Sequence, residues 1–123
     1  MADNVDVIRR FCAEWSKLDT EAVMGYFDDE PTYHNMPGLP TVGREAVRTS
    51  IERFLKTWQR TEWEILNIAA AGDVVFAERV DHIESGGKRV DLPVVGVFEM
   101  RAGKIHAWRD YFDLGTYMRA MSG

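Results

Sequence analysis

The sequence has a single cysteine, no concentration of basic residues and no long apolar run. Cys12 cannot form an internal disulfide, and no second thiol accompanies it as a zinc ligand. The formal net charge of -5 argues against nucleic acid or an anionic membrane surface as the main partner. The first residues show no basic and then apolar signal pattern, and no apolar stretch approaches the length that spans a bilayer. We therefore expect a cytoplasmic protein that binds neither nucleic acid nor membranes.

No repeat, linker or low-complexity segment divides the chain. At 123 residues it is long enough to bury roughly two thirds of its unfolded surface around one core. Hydrophobic residues at 46% and charged residues at 28% are ordinary for a globular protein. These features predict a single domain over residues 1–123.

The first half of the chain is predicted to be mainly helical. Apolar residues at three- and four-residue spacing indicate an amphipathic helix over 3–18. Asp19 is a good N-cap for a second short helix, and Gly43–Gln59 carries the apolar stripe of a third. Between them an extended segment, Thr32–Asn35, ends at a loop, 36–40, that contains two prolines and a glycine.

The second half is predicted to be a meander of strands. Glycine-containing turns separate four strand candidates, and a last short helix over 114–121 follows; the strands are 61–71, 73–84, 89–101 and 104–113. Helices followed by a meander of strands indicate an α+β domain whose sheet curls around the helices. Such a sheet leaves a concave apolar pocket, a common place for a small apolar ligand.

Two aspartates, Asp81 and Asp110, lie within hydrophobic runs that otherwise resemble buried strands. A carboxylate is rarely buried, because removing its charge from water costs several kcal/mol unless it is paired or protonated. Side chains alternate along a strand, so Arg79 shares a face with Asp81. This pattern indicates two carboxyl groups with a guanidinium between them. Alternation does not fix which face is inward, since the opposite face of 74–82 is also mixed.

Each polar residue also has an ordinary structural explanation. An Arg-x-Asp pair on a strand is usually a surface salt bridge, and Asp110 is equally consistent with capping a bend. Tyr33 and Asn35 share a face but precede a proline-rich loop, where asparagine often makes turn hydrogen bonds. Cys12 is expected in the core. The three histidines, His34, His82 and His106, are too scattered in the strands for a metal triad, so we expect no metal site. We expect no cofactor either.

Five short segments stand out when they are taken together: Tyr33–Pro37, Glu78–Asp81, Gly96–Phe98, Gly103–Ile105 and Trp108–Asp113. They resemble the limonene-1,2-epoxide hydrolase family, in that family's order and spacing and over nearly the whole chain. The most specific are the Arg-Val-Asp triplet and Trp-Arg-Asp-Tyr-Phe-Asp. The resemblance implies a cone-shaped α+β barrel of the nuclear-transport-factor-2-like (SnoaL-like) type. Its strongly curved mixed sheet would hold the N-terminal helices in its concavity, and a homodimer is expected.

The resemblance also implies roles for five polar residues. Asp81, Arg79 and Asp110 match the family's catalytic set, and Tyr33 and Asn35 match its water-holding pair. Asp81 would protonate the epoxide oxygen while Asp110 activates water, giving a vicinal diol in one step without a covalent intermediate. Close carboxyl groups in an apolar pocket favour one protonated and one ionised member. The Gly-x-Ser-x-Gly elbow of the α/β-hydrolase route is absent.

The expected substrate is a small, mostly apolar epoxide, cyclic or terpene-like, together with water. Strand alternation and the resemblance predict the substrate-binding residues, which are Met36 near the mouth and the wall residues Ile83, Leu92, Val94, Phe112 and Tyr117.

Two other functions use the same scaffold. A ketosteroid-isomerase-like proton-transfer enzyme could use Tyr33, Asp81 and Asp110, but it would leave a buried Arg79 without a role. A non-catalytic module that binds small ligands would leave the five polar residues unexplained, because each buried polar group costs about 1–3 kcal/mol if it is unpaired.

Overall fold

Three helices precede most of the sheet and a fourth follows it, within residues 3–122, the part of the chain that this computed structural model describes. They are α1 (Asn4–Glu14), α2 (Thr20–Met24), α3 (Arg44–Thr57) and α4 (Leu114–Ser122). The predicted helix over 3–18 continues from α1 through a 3-10 turn and ends at Leu18, whose φ of 54° is left-handed. Asp19 caps α2 as predicted, by accepting a hydrogen bond from the Ala22 amide.

Six strands form one mixed sheet in the order β2-β1-β6-β5-β4-β3. Their bounds are β1 Phe27–Asn35, β2 Thr41–Val42, β3 Arg60–Ala71, β4 Val74–Ser85, β5 Lys88–Arg101 and β6 Lys104–Tyr111. Only the pairing of β1 with β6 is parallel. The four predicted strands and the last helix are confirmed. The sheet is curved but stays open, because within residues 3–122 its end strands, β2 and β3, do not pair.

The buried face of β4 is the one that carries the candidate polar residues. Val75, Ala77, Arg79, Asp81 and Ile83 are all buried, whereas the alternate residues are exposed or only partly buried. The N-terminal helix covers this face and contributes its own aromatic ring to the core. Side-chain alternation therefore predicted which residues share a face, and burial shows that this face is the inner one.

Phe11 on α1 marks the centre of the packing between helix and sheet. Its ring centroid lies 5.1 Å from that of Trp108 and 5.8 Å from that of Phe98, both in edge-on geometry. All three side chains are fully buried. The predicted α+β fold, with helices packed in the concavity of a curved mixed sheet, is confirmed.

Candidate active site

The two aspartates reach one place because β5 runs between their strands. Asp81 lies on β4 and Asp110 on β6, and β5 pairs with both. Gly96 on β5 lies directly opposite Asp110 on one side and Ala77 on the other. A Cβ at Gly96 would lie only 2.5 Å from Nη1 of Arg79 and 3.0 Å from Oδ1 of Asp110. The missing side chain is what lets the guanidinium pass across β5 to Asp110.

Arg79 binds both carboxyl groups. Its Nε and Nη2 donate to Oδ1 and Oδ2 of Asp81, at 2.7 and 3.1 Å. Its Nη1 and Nη2 donate to Oδ1 and Oδ2 of Asp110, at 3.1 and 2.5 Å. Each acid is thus held by a bidentate pair, and Nη2 contacts both. The interpretation of Arg79 and Asp81 as a surface salt bridge is wrong, because Arg79 is 0% exposed and Asp81 4%.

Two tryptophans surround the guanidinium. The Cζ of Arg79 lies 4.3 Å from the ring centroid of Trp63 and 5.9 Å from that of Trp108. The indole of Trp63 is oriented in turn by its N–H, which donates to Oγ1 of Thr61 at 3.1 Å. The Trp108 indole donates to Oδ1 of Asp110 at 2.6 Å. The polar cluster therefore has apolar, well-packed surroundings that exclude water from its rear.

Burial and pairing set the charge states of the cluster. Burial raises the pKa of Asp81 to about 6, although the Arg79 charge opposes the shift. Burial alone would lower the pKa of Arg79, but the charges of Asp110 and Asp81 outweigh it and raise that pKa well above its usual range. The guanidinium is thus permanently charged, while Asp81 exchanges a proton close to neutral pH. Such a cluster can hold one proton and deliver it.

Tyr33 and Asn35 lie beside Asp110 because β1 pairs with β6. Asn35 is the register partner of Asp110, and Tyr33 that of Trp108. The ring of Tyr33 stacks on the indole of Trp108, with centroids 4.1 Å apart and planes 10° from parallel. Burial and then the Asp110 charge raise the pKa of Tyr33 well above its usual range, so its hydroxyl stays a neutral hydrogen-bond donor.

An apolar cavity of about 220 Å³ ends at these groups. Tyr33, Asn35, Asp81 and Asp110 line it, whereas Arg79 lies behind the two acids. Five of the six predicted substrate-binding residues also line it, namely Ile83, Leu92, Val94, Phe112 and Tyr117.

Met36 is not among the residues that line the cavity, although its neighbours Asn35 and Pro37 are, so its predicted place near the mouth stays a prediction. Its backbone N–H donates to the carbonyl of Asp110 at 2.9 Å, which prolongs the pairing of β1 with β6 by one residue. Pro37 and Gly38 form this part of the wall.

Four further aromatic or aliphatic residues complete the wall and were missed from the sequence as site residues: Phe54, Trp58, Trp63 and Leu114. Phe54 lies on α3 and Trp58 directly follows its last residue; both belong to the apolar stripe predicted from the sequence, which indicated burial without indicating a pocket. Trp63 shares the buried face of β3 with Thr61, whereas Glu62 between them is exposed. Alternation was thus a usable signal for Trp63 once the inner face was known.

Two of the three histidines lie apart from this site: His82 contacts Asp91 and Glu64, and His106 contacts Asp28. His34 lies between Tyr33 and Asn35 on β1, and its Nε2 lies 2.8 Å from the carbonyl oxygen of Gly38 in the cavity wall, but it does not itself line the cavity. Within residues 3–122 no group of three histidine, cysteine, aspartate or glutamate side chains is placed to hold a metal ion. Across the same residues, no helix is both long enough and apolar enough to span a membrane.

Comparison with known proteins agrees with the geometry. The family model described as the limonene-1,2-epoxide hydrolase catalytic domain matches residues 2–122. The epoxide hydrolase EphG of Mycobacterium tuberculosis is 34% identical over 96 residues, which is 78% of this chain. The chain spans 64% of the length of that relative.

Two solved structures show how widely the fold is shared. An epoxide hydrolase from M. tuberculosis, described as similar to limonene-1,2-epoxide hydrolase, superposes with a TM-score of 0.84 at 29% identity, covering 98% of this chain and 90% of its own. A hypothetical protein of Catenulispora acidiphila with a ketosteroid isomerase-like fold gives 0.84 at 21% identity, covering 94% and 92%. The second likeness shows the fold alone.

Proposed function

The chain belongs to the limonene-1,2-epoxide hydrolase family, and from this we propose that it adds water to a small, mostly apolar epoxide to give a vicinal diol. The observation that carries the proposal is the buried Arg79, bonded to both Asp81 and Asp110 at the end of an apolar cavity. The apolar wall favours cyclic or terpene-like epoxides, whose hydrocarbon part carries no polar groups that need water.

Asp81 is the proposed general acid. Opening an epoxide leaves negative charge on its oxygen, and a protonated carboxyl group that faces the cavity can neutralise that charge as it develops. Burial raises the pKa of Asp81 to about 6, so this group carries a proton in most molecules below that pH and in a minority of them at neutral pH. Its proton passes to the epoxide oxygen as the C–O bond breaks.

Asp110 is the proposed general base. It lines the cavity next to Tyr33 and Asn35, which supply a phenol hydroxyl and an amide able to hold a water molecule. Asp110 takes a proton from this water while the water oxygen bonds to the epoxide carbon. Acid and base contributions of about 10²–10⁴-fold each are typical for such groups. The proton then returns from Asp110 to Asp81, both of which contact Nη2 of Arg79.

The position of Arg79 also separates this proposal from the two alternatives. An isomerase of the ketosteroid type uses one aspartate as a base and a second, neutral aspartic acid as a hydrogen-bond donor, and it leaves a buried guanidinium bonded to both acids without a role. A passive binding module gains nothing from an ion cluster whose desolvation is costly. Water addition uses the cluster fully, because the reaction needs one acid and one base at the same moment.

A homodimer is proposed as the assembled form. Four large apolar residues are between 42% and 49% exposed on the outer face of the sheet: Leu66, Phe76, Val95 and Tyr111. Val95 is the register partner of Tyr111, so part of this set is contiguous across β5 and β6. Contiguous exposed apolar surface of this kind is typical of protein interfaces. A second copy of the same face would bury it in a two-fold arrangement.

The experiment that tests the function is hydrolysis of a panel of meso and terpene epoxides in ¹⁸O-labelled water, including a single turnover with excess enzyme. We expect label in the diol on the first turnover, because water attacks the ring directly. Unlabelled first-turnover diol with label in a carboxyl group would show a covalent ester and overturn the one-step mechanism. No turnover on any member of the panel would argue for the binding module.

Matched variants assign the residues. Asp81→Asn and Asp110→Asn should each nearly abolish hydrolysis while the circular dichroism spectrum is retained. Asp29→Asn, at an exposed position of β1, is the control for the same chemical change and should keep full activity. Activity near that of the parent protein in either site variant would remove that residue from the mechanism.

A further inference from the structure

The two acids share Arg79 but do not receive the same number of hydrogen bonds. Asp81 accepts two, both from Arg79. Asp110 accepts two from Arg79 and a third from the indole of Trp108, whose Nε1 lies 2.6 Å from its Oδ1. The reaction proposed above needs one ionised and one protonated acid, so this difference between otherwise similar groups bears directly on the division of labour.

The direction of the indole N–H is fixed by packing. Trp108 is 0% exposed, and its ring stacks against Tyr33 at 4.1 Å and against Phe98 at 5.6 Å between centroids. An indole nitrogen is a donor only and cannot accept a proton from a carboxylic acid. A donor held in this position stabilises the ionised carboxylate more than the protonated form, because a hydrogen bond to a charged oxygen is the stronger one.

We propose that Trp108 is a positioning residue that keeps Asp110 ionised through its indole N–H, and thereby leaves the resting proton on Asp81. The inference rests on the proposed function for its catalytic meaning. Trp108 does not line the cavity, so its action on the substrate passes entirely through Asp110.

The other groups that face Asp110 do not supply this asymmetry. Arg79 of β4 donates to both acids alike. Tyr33 of β1 and Cys12 of α1 are neutral, since burial raises the pKa of Tyr33 well above its usual range and that of Cys12 to about 12. Asp81 of β4 is the competing acid itself, and burial raises its pKa to about 6, which agrees with its holding the proton.

The test is Trp108→Phe, which removes the N–H and keeps an aromatic ring. Trp15→Phe is a matched control, because Trp15 is also 0% exposed and its Nε1 has no hydrogen-bond partner among residues 3–122. The same ring change is thus made with and without loss of a hydrogen bond to a carboxylate. Both variants are checked by thermal unfolding before use.

The first readout needs no substrate. Carbon-13 labelling of the aspartate carboxyl carbons, followed by NMR titration, reports which of Asp81 and Asp110 takes up a proton first as the pH falls. In the parent protein we expect Asp81 to do so. In Trp108→Phe the midpoint for Asp110 should rise by about one to two pH units, the usual worth of a hydrogen bond to a charged group. Trp15→Phe should leave both midpoints unchanged.

The second readout is the pH profile of hydrolysis. In Trp108→Phe the acid limb of kcat should move to higher pH, with KM unchanged because the cavity wall is intact. An unchanged Asp110 titration in folded Trp108→Phe would overturn the proposal. So would an equal shift in Trp15→Phe, because loss of ring volume would then explain both. If titration shifts but no epoxide is hydrolysed, the proposed function fails while the electrostatic role of Trp108 stands.

A second variant covers the case in which Trp108→Phe does not fold. Replacement of Trp108 by 3-benzothienylalanine substitutes sulfur for the N–H and preserves the two fused rings, so packing against Tyr33 and Phe98 is retained. The same titration applies. A raised Asp110 midpoint supports the inference, and a midpoint equal to that of the parent protein contradicts it.

Discussion

Arg79 lies fully buried between two carboxyl groups, and the three side chains carry one more negative than positive charge when both aspartates are ionised. An unbalanced buried charge is costly, and taking up one proton removes the imbalance. Burial raises the pKa of Asp81 to about 6 for this physical reason. The same burial that costs the fold stability at neutral pH provides a proton for chemistry.

The first prediction concerns Asp81→Asn and the pH dependence of stability. The folded pKa of Asp81 lies above its ordinary value of 3.8, so its contribution to stability is full below that value and is lost as the pH rises through about 6. The loss amounts to at most about 3 kcal/mol. An asparagine side chain cannot ionise, so the stability of the variant should lose this pH dependence between pH 4 and 7. Its activity should also fall at least about 100-fold.

Urea unfolding of both proteins at pH 4.5 and 7.5 measures this effect. The quantity compared is the free energy of unfolding of Asp81→Asn minus that of the parent protein. Weakened hydrogen bonds to Arg79 lower this difference at both pH values, and the raised Asp81 pKa of the parent protein should make it more favourable to the variant at pH 7.5 than at pH 4.5. An identical stability difference at the two pH values would contradict a raised Asp81 pKa in the folded protein.

The second prediction concerns Gly96→Ala. A Cβ there would lie 2.5 Å from Nη1 of Arg79, 2.9 Å from Cε1 of Phe98 and 3.0 Å from Oδ1 of Asp110. The guanidinium must move, so we expect a loss of about 1–3 kcal/mol in the free energy of unfolding and a much lower kcat. Gly25→Ala is the control, because its nearest contact is 3.4 Å and it lies away from the cluster. Equal kcat values for the two variants would remove Gly96 from its supporting role.

The sequence predicted which polar residues share a strand face, but it did not predict which face is inward or which residues surround the cluster. Alternation placed Arg79 and Asp81 on one face, but both faces of β4 carry polar residues, and only the packing of the whole sheet decides which is inward. The part played by Gly96 has no sequence signal of its own. It depends on β5 lying between β4 and β6. This arrangement brings together residues that are far apart in the chain.

Helix α4 closes one side of the cavity with few attachments. None of its residues is buried. Apart from bonds to the adjacent Asp113, two hydrogen bonds among residues 3–122 join it to the rest of the chain: Trp58 Nε1 donates to the Tyr117 hydroxyl at 3.3 Å, and Lys88 Nζ to the Met121 carbonyl at 2.7 Å. Leu114 and Tyr117 of this helix line the cavity. We therefore expect α4 to be the part of the cavity wall whose local unfolding requires the least free energy.

The third prediction is that Tyr117→Phe loosens this wall. Loss of the bond to Trp58 should raise KM several-fold and speed amide hydrogen exchange in α4, with little change in kcat. Tyr26→Phe removes a comparable bond, to Oε1 of Glu14, at a position that does not line the cavity. That control should leave KM unchanged. A KM for Tyr117→Phe equal to that of the parent protein would show that the bond does not shape the site.

At the level of elements, strong patterns were predicted well and short ones were not. The helices and the four long strands carry apolar residues at regular spacing, and this spacing alone predicts the type of element. The first half of β1 contains three consecutive acidic residues and a proline, Asp28-Asp29-Glu30-Pro31, which suggest a loop. The two-residue strand β2 exists because it pairs with β1, and no local pattern indicates such a partner.

The molecule as a whole presents one more testable surface. Phe76 and Val95 lie on the outer face of the sheet, and the fourth prediction is that Phe76→Glu weakens the proposed dimer by placing a charge in its interface. Light scattering after size-exclusion chromatography should show the shift toward monomer. Leu39→Glu, at an 89% exposed loop position, should not change the assembly. A monomeric parent protein would contradict the proposal directly.

The Catenulispora acidiphila protein with a ketosteroid isomerase-like fold, at 21% identity, superposes on this chain as well as the M. tuberculosis epoxide hydrolase does, with a TM-score of 0.84 in both cases. The scaffold is thus compatible with different polar clusters, and the fold alone does not fix the chemistry. In this chain the polar cluster consists of a small set of side chains on β1, β4 and β6, with a glycine on β5 between them.

The cavity wall has a consequence for stereochemistry. Its acid, base and water-holding groups all lie on strands, whereas Phe54, Trp58, Leu114 and Tyr117 lie on or beside helices α3 and α4. In the proposed reaction the strand groups supply the acid, the base and the water-holding pair, and we expect the side chains on α3 and α4 to influence which of the two epoxide carbons faces the water. Under that proposal, substitutions in α3 and α4 should change the handedness of the diol while the proton chemistry stays as it is.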